Sequence, residues 1–228
     1  MPLRILLLNK VPIYQQLLLE EHLLRHTTDN ICLCNTNASK AIVMGISGKP
    51  QELIALDVLQ KDPIPVIKRF SGGGTVIIDE DTLFVSWIFS KSLLGTSVYP
   101  ETILSWSTSL FTPAFALPGF RLCENDFALH DKKCGGNALY ITKERFLQHT
   151  SFLWNFTETN MNYLLHPKKS PSYRKERSHT EFLCTLQPYF ADKYTPFHKL
   201  CAFLSNHFAV TVDTTIPSFP SQGRTCIL

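Results

Sequence analysis

The stretch Arg-Phe-Ser-Gly-Gly-Gly-Thr-Val, residues 69–76, places three consecutive glycines between two predicted β-strands. Such a run is costly in backbone entropy, so it needs a reason: a tight turn with positive φ angles, or a ligand that lies directly on the backbone. A turn of free N–H groups binds anions, and the guanidinium of Arg69 offers two parallel donors to a carboxylate or phosphate. The spacing fits neither the GxGxxG dinucleotide loop nor a Walker P-loop. The stretch therefore indicates either an anion-binding loop or a structural turn.

A second glycine pair follows a lysine at residues 133–138, which read Lys-Cys-Gly-Gly-Asn-Ala. An ammonium group at this place can neutralise a reacting carboxylate and the α-phosphate of a nucleotide as charge develops in the transition state. Taken alone, Lys132 and Lys133 fit solvated turn lysines better than a catalytic group. Lys133 indicates a functional site only in combination with the stretch at residues 69–76.

Apolar spacing along the rest of the chain predicts an α+β domain. Helical periodicity predicts helices at residues 14–26, 52–60, 101–111 and 196–208. Short β-branched or aromatic runs predict strands at residues 41–44, 75–78, 83–89, 126–130, 138–142 and 146–153. Residues 79–82 are predicted to join two of these strands as a hairpin, and residues 131–137 to be a connection. Adjacent short strands favour a mixed or antiparallel sheet with helices packed on it.

Composition and charge limit the class of protein. With 228 residues, 44% of them hydrophobic, the chain can bury a substantial core. A formal net charge of +3 does not indicate a nucleic-acid partner. The apolar run at residues 5–8 is too short for a signal-peptide core or a membrane span, so we expect a cytoplasmic protein without a membrane partner. Seven cysteines without a CxxC pair indicate neither a disulfide framework nor a zinc site, and no metal-binding residue is predicted.

Four ordered segments together resemble the lipoate-protein ligase family. Residues 69–79 resemble the family's Arg-x-Ser-Gly-Gly-Gly-Ala/Thr-Val-x-x-Asp signature, and residues 133–138 resemble its Lys-Ile/Val-Ser/Gly-Gly-Ser/Asn-Ala segment. Asn125-Asp126 stands where the family has Asn-Asp ahead of that lysine, and residues 148–151 resemble its downstream His-Gly/His-Thr segment. The resemblance covers roughly residues 10–185, with weaker matches at Glu20-Glu21 and at residues 173–179.

This resemblance implies a biotinyl/lipoyl protein ligase-like catalytic domain over residues 1–190 and a C-terminal helical extension over residues 191–228. It implies that lipoate and ATP give lipoyl-AMP, with Mg²⁺ shielding the phosphate charge, and that a lysine of a lipoyl domain then takes the lipoyl group. The implied acceptors are 2-oxoacid dehydrogenase E2 subunits and the glycine cleavage H protein. Lys133 is the implied catalytic residue. The residues implied to bind substrate or ATP are Arg69, Ser71, Gly72, Gly73, Gly74, Thr75, Val76, Asp126, Asn137 and Ala138.

Two departures from the family pattern stand out in the sequence. The family's Gly-Arg-x-Gln-Asn-Pro loop is Gly-Ile-Ser-Gly-Lys-Pro here, at residues 45–50, so its arginine and glutamine are missing. Cys134 stands where the family usually has an aliphatic residue. A basic cluster formed by Lys168, Lys169, Arg174, Lys175 and Arg177 fits either a surface that steers an acidic acceptor domain or a solvated loop.

Three alternatives to the ligase remain at this stage. The first is an octanoyl or lipoyl transferase of the same fold that uses a cysteine thioester, with Cys123 and Cys134 as the thiols nearest to Lys133 in sequence. The second is a biotin ligase, whose family usually has a glycine motif of Gly-Arg-Gly-Arg character that is missing here. The third is a non-catalytic protein that binds lipoyl-AMP.

Overall fold

The computed structural model describes residues 1–95, 97–166 and 170–228, which form two β-sheets and six α-helices. The strands are β1 (Pro2–Leu7), β2 (Ile31–Asn35), β3 (Ala41–Met44), β4 (Val66–Lys68), β5 (Val76–Ile78), β6 (Thr82–Ser90), β7 (Phe120–Cys123), β8 (Asp126–Leu129), β9 (Lys132–Ile141), β10 (Arg145–Leu153), β11 (Ala209–Asp213) and β12 (Cys226–Ile227). The helices are α1 (Ile13–His26), α2 (Pro50–Leu53), α3 (Leu56–Lys61), α4 (Pro100–Phe115), α5 (His179–Phe182) and α6 (Thr195–His207). Short 3₁₀ turns cover Lys91–Leu94, Glu158–Tyr163, Ser172–Arg174 and Gln187–Tyr189.

Both sheets are mixed. The larger sheet has the strand order β11-β1-β2-β6-β10-β9-β8-β7. Its strands β11, β1 and β2 are parallel, and the neighbours that follow in the sheet pair antiparallel. The smaller sheet has the order β12-β4-β3-β5, in which only β3 and β4 are parallel. The predicted α+β class, a mixed sheet with packed helices, is confirmed.

One face of the larger sheet packs against α4 and α6. Side chains alternate between the two faces of a strand, so Phe146 and Phe152 of β10 point to the same side. They are buried there with Phe111 and Phe115 of α4, and the rings of Phe111 and Phe152 meet edge to face at a centroid distance of 5.1 Å. Burial of each such side chain contributes about 1.5–3 kcal/mol. This face is the main hydrophobic core.

The opposite face of the larger sheet carries α1 and, beside it, the smaller sheet. Leu17 of α1 packs with Ile67 of β4, Ile78 of β5 and Phe84 of β6. The link between β4 and β5 is the glycine-rich stretch. Because both of these strands pack on the larger sheet, the stretch lies across that sheet at β9, where the N–H of Gly72 donates to the carbonyl of Leu139 at 3.3 Å.

Residues after 190 complete both sheets. The sequence predicts a helical extension over residues 191–228; within it Thr195–His207 form α6, β11 adds to β1 and β12 adds to β4. Thr225 is buried, and its hydroxyl accepts a hydrogen bond of 3.3 Å from the N–H of Phe70, which is 155 positions away in the chain. Residues 225–227 therefore lie along the outer edge of β4, the strand that leads into the glycine-rich stretch.

The predicted hairpin across residues 79–82 is wrong. β5 pairs with β3 in the smaller sheet, whereas β6 lies in the larger sheet between β2 and β10. Because β6 has partners on both edges, it has no free edge for β5. The turn itself is present, since the N–H of Thr82 donates to the carbonyl of Asp79 at 3.0 Å, but it joins two sheets.

Two further predictions need correction. The predicted helix at residues 52–60 is two short helices, α2 and α3, because Ile54 is extended and forms a β-bridge with Leu164. This tertiary pairing outweighs the local helical pattern. Residues 132–137, predicted as a connection, belong to the strand β9.

Among the helices of the described residues, none has the length and apolar content needed to cross a membrane.

Candidate active site

The glycine-rich stretch forms a tight turn packed on β9. Gly73 has φ of +105°, a conformation that residues with a Cβ rarely adopt. A Cβ added there would lie 2.7 Å from Nη2 of Arg69 and 3.0 Å from the carbonyl oxygen of Asn137. A Cβ on Gly45, at the end of β3, would collide with the carbonyl oxygen of Gly73. Close backbone packing therefore requires glycine at both positions 45 and 73. At Gly73 this agrees with the interpretation of the stretch as a structural turn.

Gly74 differs from its neighbours. It is exposed, and a Cβ added there would meet no atom within 4 Å. Its glycine is therefore not explained by packing inside the protein. Close packing therefore explains the glycine at position 73 but not the one at position 74.

Arg69 stabilises this turn through hydrogen bonds to its backbone. Its guanidinium is buried and donates to the carbonyl of Gly72 through Nε at 3.2 Å and through Nη2 at 2.9 Å. Nη2 also donates to the carbonyl of Gly74 at 2.8 Å. Burial lowers the pKa of Arg69 to about 10, so the group is still a cation at neutral pH. The predicted two-pronged contact with a bound anion is replaced in this structure by contacts with the backbone of the turn itself.

Two hydroxyl groups flank the turn without a partner. The Oγ of Ser71 and the Oγ1 of Thr75 are buried, and neither has a hydrogen-bond partner within residues 1–95, 97–166 and 170–228. A buried hydroxyl without a partner costs about 1–3 kcal/mol. Because both hydroxyls belong to one loop, they indicate a place where a polar ligand group or an ordered water binds. Val76 follows as the first residue of β5.

Lys133 lies on the same face of β9 as this turn. Its Nζ forms an ion pair of 2.8 Å with Oδ1 of Asp126, and the two side chains are 23% and 13% exposed. A Cβ added at Gly136 would lie 3.2 Å from the Nζ of Lys133, so the ammonium lies directly over the backbone of Gly136. The missing side chain at Gly136 gives the lysine this space. Lys133 and Asp126, both predicted site residues, are thus in contact.

A β-bulge explains how Lys133 reaches Gly136. Asp126 pairs with Gly136 and Phe127 with Gly135, but Ala128 pairs with Lys133, so β9 has one extra residue. In a regular strand, residues three apart point to opposite faces. The extra residue, Cys134, shifts this alternation and points into the hydrophobic core, while Lys133 and Gly136 share the site face. The prediction that Lys133 and Cys134 point to opposite faces is confirmed.

β9 brings the two sequence motifs together. The glycine turn contacts the backbone of Asn137 and Leu139, and Ala138 is buried beneath it. Lys133 covers Gly136, the next residue along. Strand residues are about 3.3 Å apart, so the turn and the ammonium are roughly 7 Å from each other along the strand.

Asn137 takes part through its backbone only. Its side chain points to the other face, where Nδ2 donates to the carbonyl of Asn125 at 3.0 Å. Its Oδ1 accepts from Thr150 Oγ1 at 2.7 Å and from Gln148 Nε2 at 3.0 Å. These contacts join β9 to β10 and to the turn before β8. The resemblance implied that Asn137 lines the site, and the structure gives its backbone a contact with the glycine turn.

A buried carboxylate lies beneath the site, and the sequence did not assign it a role. Glu20 of α1 is fully buried, and its Oε1 accepts from Ser86 Oγ at 2.6 Å and from Gln16 Nε2 at 2.7 Å. His149 Nδ1 lies 2.9 Å from the same oxygen. The negative charge of Glu20 also acts on Arg69, whose pKa it raises against the larger effect of burial. The only sequence signal was the weak family match at Glu20-Glu21 and the match at residues 148–151.

The cysteines near Lys133 differ in their environment. Cys134 is buried and donates to the carbonyl of Phe127 at 3.4 Å, and burial raises the pKa of its thiol well above the usual value. Cys184, far away in sequence, is brought beside it, and its N–H donates to the carbonyl of Lys133 at 2.8 Å. The hydrogen bond with Cys134 lowers the pKa of the Cys184 thiol. Sequence spacing did not indicate Cys184 as a neighbour of the lysine.

The predicted basic cluster is only partly described. Lys168 and Lys169 lie outside the described residues. Arg174 is buried, with Nη2 3.1 Å from Nε2 of His166. Arg177 forms an ion pair of 3.0 Å with Asp131. These two arginines therefore hold a surface segment in place.

Over residues 1–95, 97–166 and 170–228 there is no group of three or more His, Cys, Asp or Glu side chains that could hold a metal ion.

Comparison with known proteins places this arrangement in a family. A family model described as the lipoyl protein ligase A/B catalytic domain matches residues 12–209. The chain belongs to this family. The match includes α1, the glycine turn, Lys133 and α6, so all the site residues described above lie within the family's catalytic domain.

Named relatives of this family include proteins of different activity. The chain is 30% identical, over 78% of its length and 62% of the relative, to a Plasmodium falciparum protein named inactive lipoate–protein ligase 2. It is 27% identical, over 72% of its length and 42% of the relative, to lipoate–protein ligase 1 of the same organism. The chain thus spans about half the length of these two relatives.

Solved structures show the same fold. A lipoate-protein ligase A bound with ATP superposes with a TM-score of 0.78 at 19% identity, covering 94% of this chain and 90% of that one. A bipartite lipoate protein ligase from Thermoplasma acidophilum, studied with its E2 lipoyl domain, gives a TM-score of 0.77 at 19% identity, covering 93% and 86%. The biotinyl/lipoyl ligase-like fold implied by the sequence motifs is confirmed.

Proposed function

We propose that this chain activates lipoate with ATP to form lipoyl-AMP and then transfers the lipoyl group to a lysine of a lipoyl domain. The observation that carries the proposal is the meeting of the glycine turn and Lys133 on adjacent residues of β9, with two unpartnered hydroxyls beside the turn. An acyl phosphate has both a carbonyl and a phosphate group to bind. The hydroxyls beside the turn and the ammonium of Lys133 are the donors available to these two groups.

In this proposal each part of the site has a separate task. Arg69 fixes the turn through the carbonyls of Gly72 and Gly74. The hydroxyls of Ser71 and Thr75 bind polar atoms of the acyl-adenylate, and the backbone of Gly74 lies against it. The ammonium of Lys133 compensates the charge that grows on the carboxylate and the α-phosphate during adenylation. Asp126 holds that ammonium in place at 2.8 Å.

Magnesium does not fit a site made by the protein alone. Both carboxylate oxygens of Asp126 have donors, Lys133 at 2.8 Å and Tyr173 at 3.0 Å, and the described part of the chain offers no group of three or more metal ligands. In nucleotide enzymes Mg²⁺ is commonly held by the phosphates together with only one or two carboxylates. Any Mg²⁺ in the reaction is accordingly assigned to the ATP substrate.

The acceptor in this proposal is a lipoyl domain, such as that of a 2-oxoacid dehydrogenase E2 subunit or the glycine cleavage H protein. The Thermoplasma acidophilum ligase of the same fold was studied with its E2 lipoyl domain, which supports this class of partner. The predicted basic cluster adds little to this support, because Arg177 is paired with Asp131 and the exposed Lys175 is followed by the exposed Glu176.

The direct test is pyrophosphate release from ATP in the presence of free lipoate, followed by lipoylation of a purified lipoyl domain. We expect release that depends on both substrates and transfer to one lysine of the acceptor. Binding of lipoyl-AMP without pyrophosphate release would instead support the non-catalytic protein, an alternative to which the name of the inactive Plasmodium relative gives weight.

A thioester transferase is the second candidate, and the position of Cys184 beside Lys133 is the observation that favours it. Cys134 does not suit this role because its thiol is buried and its pKa is raised. If an adenylate is the only activated intermediate, Cys184→Ser and Cys134→Ser should each keep most of the ATP-dependent activity, since neither thiol reacts.

The measurement is ATP-dependent lipoylation of both variants, with mass spectrometry of the wild-type chain after incubation with an octanoyl-loaded carrier protein. Cys201→Ser serves as a control, because this partly buried thiol belongs to α6 and burial raises its pKa to about 12. An acyl adduct on Cys184, together with loss of activity in Cys184→Ser only, would replace the ligase by the transferase.

A further inference from the structure

A surface segment at residues 172–177 is fastened across the strands that carry the candidate site. The N–H of Ser172 donates to Glu124, in the turn between β7 and β8, at 2.7 Å. The guanidinium of Arg177 donates to Asp131, in the turn between β8 and β9, at 3.0 Å. Each end of the segment is thus tied to a different turn. The residues between these ties lie close to Asp126, at the start of β8.

The chain after this segment is tied to Lys133 itself. Leu183 forms a parallel β-bridge with Lys133, and the N–H of Cys184 donates to the carbonyl of Lys133 at 2.8 Å. The backbone of the lysine is therefore fixed from two sides, by β8 and by residues 183–184. What remains free to move is its side chain, which has a flexible four-carbon stem.

Tyr173 is placed to limit that movement. Its ring packs on Phe182 of α5 at a centroid distance of 5.0 Å, and its hydroxyl donates to Oδ2 of Asp126 at 3.0 Å. Burial and the negative charge of Asp126 raise the pKa of Tyr173, so the phenol stays protonated and remains a donor. The backbone carbonyl of Tyr173 accepts from Arg177 at 2.7 Å, which fixes the residue within the segment.

The two oxygens of Asp126 have separate partners. Oδ2 accepts from Tyr173, and Oδ1 forms the 2.8 Å ion pair with Lys133. A carboxylate held at one oxygen can no longer rotate freely about its Cβ–Cγ bond, so the direction of the other oxygen is set. We propose that Tyr173 is a positioning residue which, through Asp126, holds the ammonium of Lys133 over Gly136 for the reaction. This inference rests on the proposed function for its effect on rate, but the arrangement can be tested without activity.

The activity test is Tyr173→Phe, which removes one hydroxyl and keeps the ring on Phe182. We expect the maximal rate of pyrophosphate release to fall about tenfold, the effect of losing one hydrogen bond to a charged group, while KM for ATP and lipoate changes little. In an Asp126→Ala background the same change should have no further effect, because Tyr173 acts only through Asp126. Tyr99→Phe is the matched control, since Tyr99 is 62% exposed at the start of α4.

The second test measures how fast an amine-reactive ester modifies Lys133, read by peptide mass spectrometry against Lys143, whose side chain is 94% exposed. Release of the ammonium in Tyr173→Phe should raise the modification rate of Lys133 severalfold relative to wild type, whereas Tyr99→Phe should leave it unchanged. If wild type shows no turnover, the proposed function fails, and this labelling ratio still decides the positioning role. An unchanged ratio, or a full rate in an active Tyr173→Phe enzyme, overturns the inference.

Discussion

Replacing Lys133 with alanine is expected to leave a folded protein that forms lipoyl-AMP about 10²- to 10³-fold more slowly than wild type. The ammonium is the cation nearest to the backbone of Gly136 on the site face, where the acyl carboxylate and the α-phosphate are proposed to meet. Loss of one preorganised donor of this kind typically raises a barrier by about 3–4 kcal/mol. Pyrophosphate release under saturating lipoate and ATP is the measurement.

Lys132→Ala is the control for this prediction. Lys132 is the preceding residue and is exposed, and its carbonyl, which the substitution keeps, accepts from the thiol of Cys184 at 3.3 Å. The substitution therefore removes a charge of the same sign nearby but not on the site. We expect nearly wild-type rates. Equal losses in the two variants would mean that general positive charge, rather than the placed ammonium, matters. Undiminished lipoylation by Lys133→Ala would remove the lysine from the mechanism.

Gly73→Ala is expected to destabilise the fold and to weaken binding of a lipoyl-AMP analogue at the same time. Its φ of +105° is unfavourable for alanine, and the new methyl group would press on Arg69 at 2.7 Å and on Asn137 at 3.0 Å. The conformational part alone costs about 1–2 kcal/mol. Because the turn depends on Arg69, we expect the affinity to fall by about tenfold or more, as each 1.4 kcal/mol is tenfold in affinity.

Gly74→Ala should separate the two effects. No atom lies within 4 Å of the added methyl group, so urea unfolding should show unchanged stability or a gain of up to about 1 kcal/mol. If the ligand lies on this backbone, calorimetric titration with the lipoyl-AMP analogue should nevertheless show weaker binding. Unchanged affinity in Gly74→Ala would remove the ligand from this part of the turn and leave close packing as the sole reason for the glycines.

The sequence predicted which segments meet at the candidate site because each segment carries local signals. Glycines mark a turn, and a lysine before a glycine pair marks a cation with open space beside it, as Lys133 over Gly136 shows. Apolar spacing predicted the ends of helices α1, α4 and α6 to within four residues. These features depend mainly on neighbours in sequence.

The features that the sequence did not predict depend on distant residues. The bulge at Cys134 requires the pairing of β9 with β8, and the pairing of β5 with β3 requires that both edges of β6 be taken. Arg69 donates to the carbonyls of Gly72 and Gly74, and these contacts require the folded turn. Similarly, the contact between Glu20 and His149 spans 129 positions, so nothing in either local pattern indicates it.

The contacts that residues 225–227 make with β4 and Phe70 have a consequence for synthesis on the ribosome. Phe70 receives its hydrogen-bond partner, Thr225, 155 residues later, and at about 5–20 residues per second this delay is roughly 8–30 s. During that time the outer edge of β4 is an unpaired strand edge, which is prone to pair with other chains. The nascent protein therefore needs protection at the same strand that leads into its glycine turn, and competence to bind ligand should appear only after residues 225–227 have left the exit tunnel.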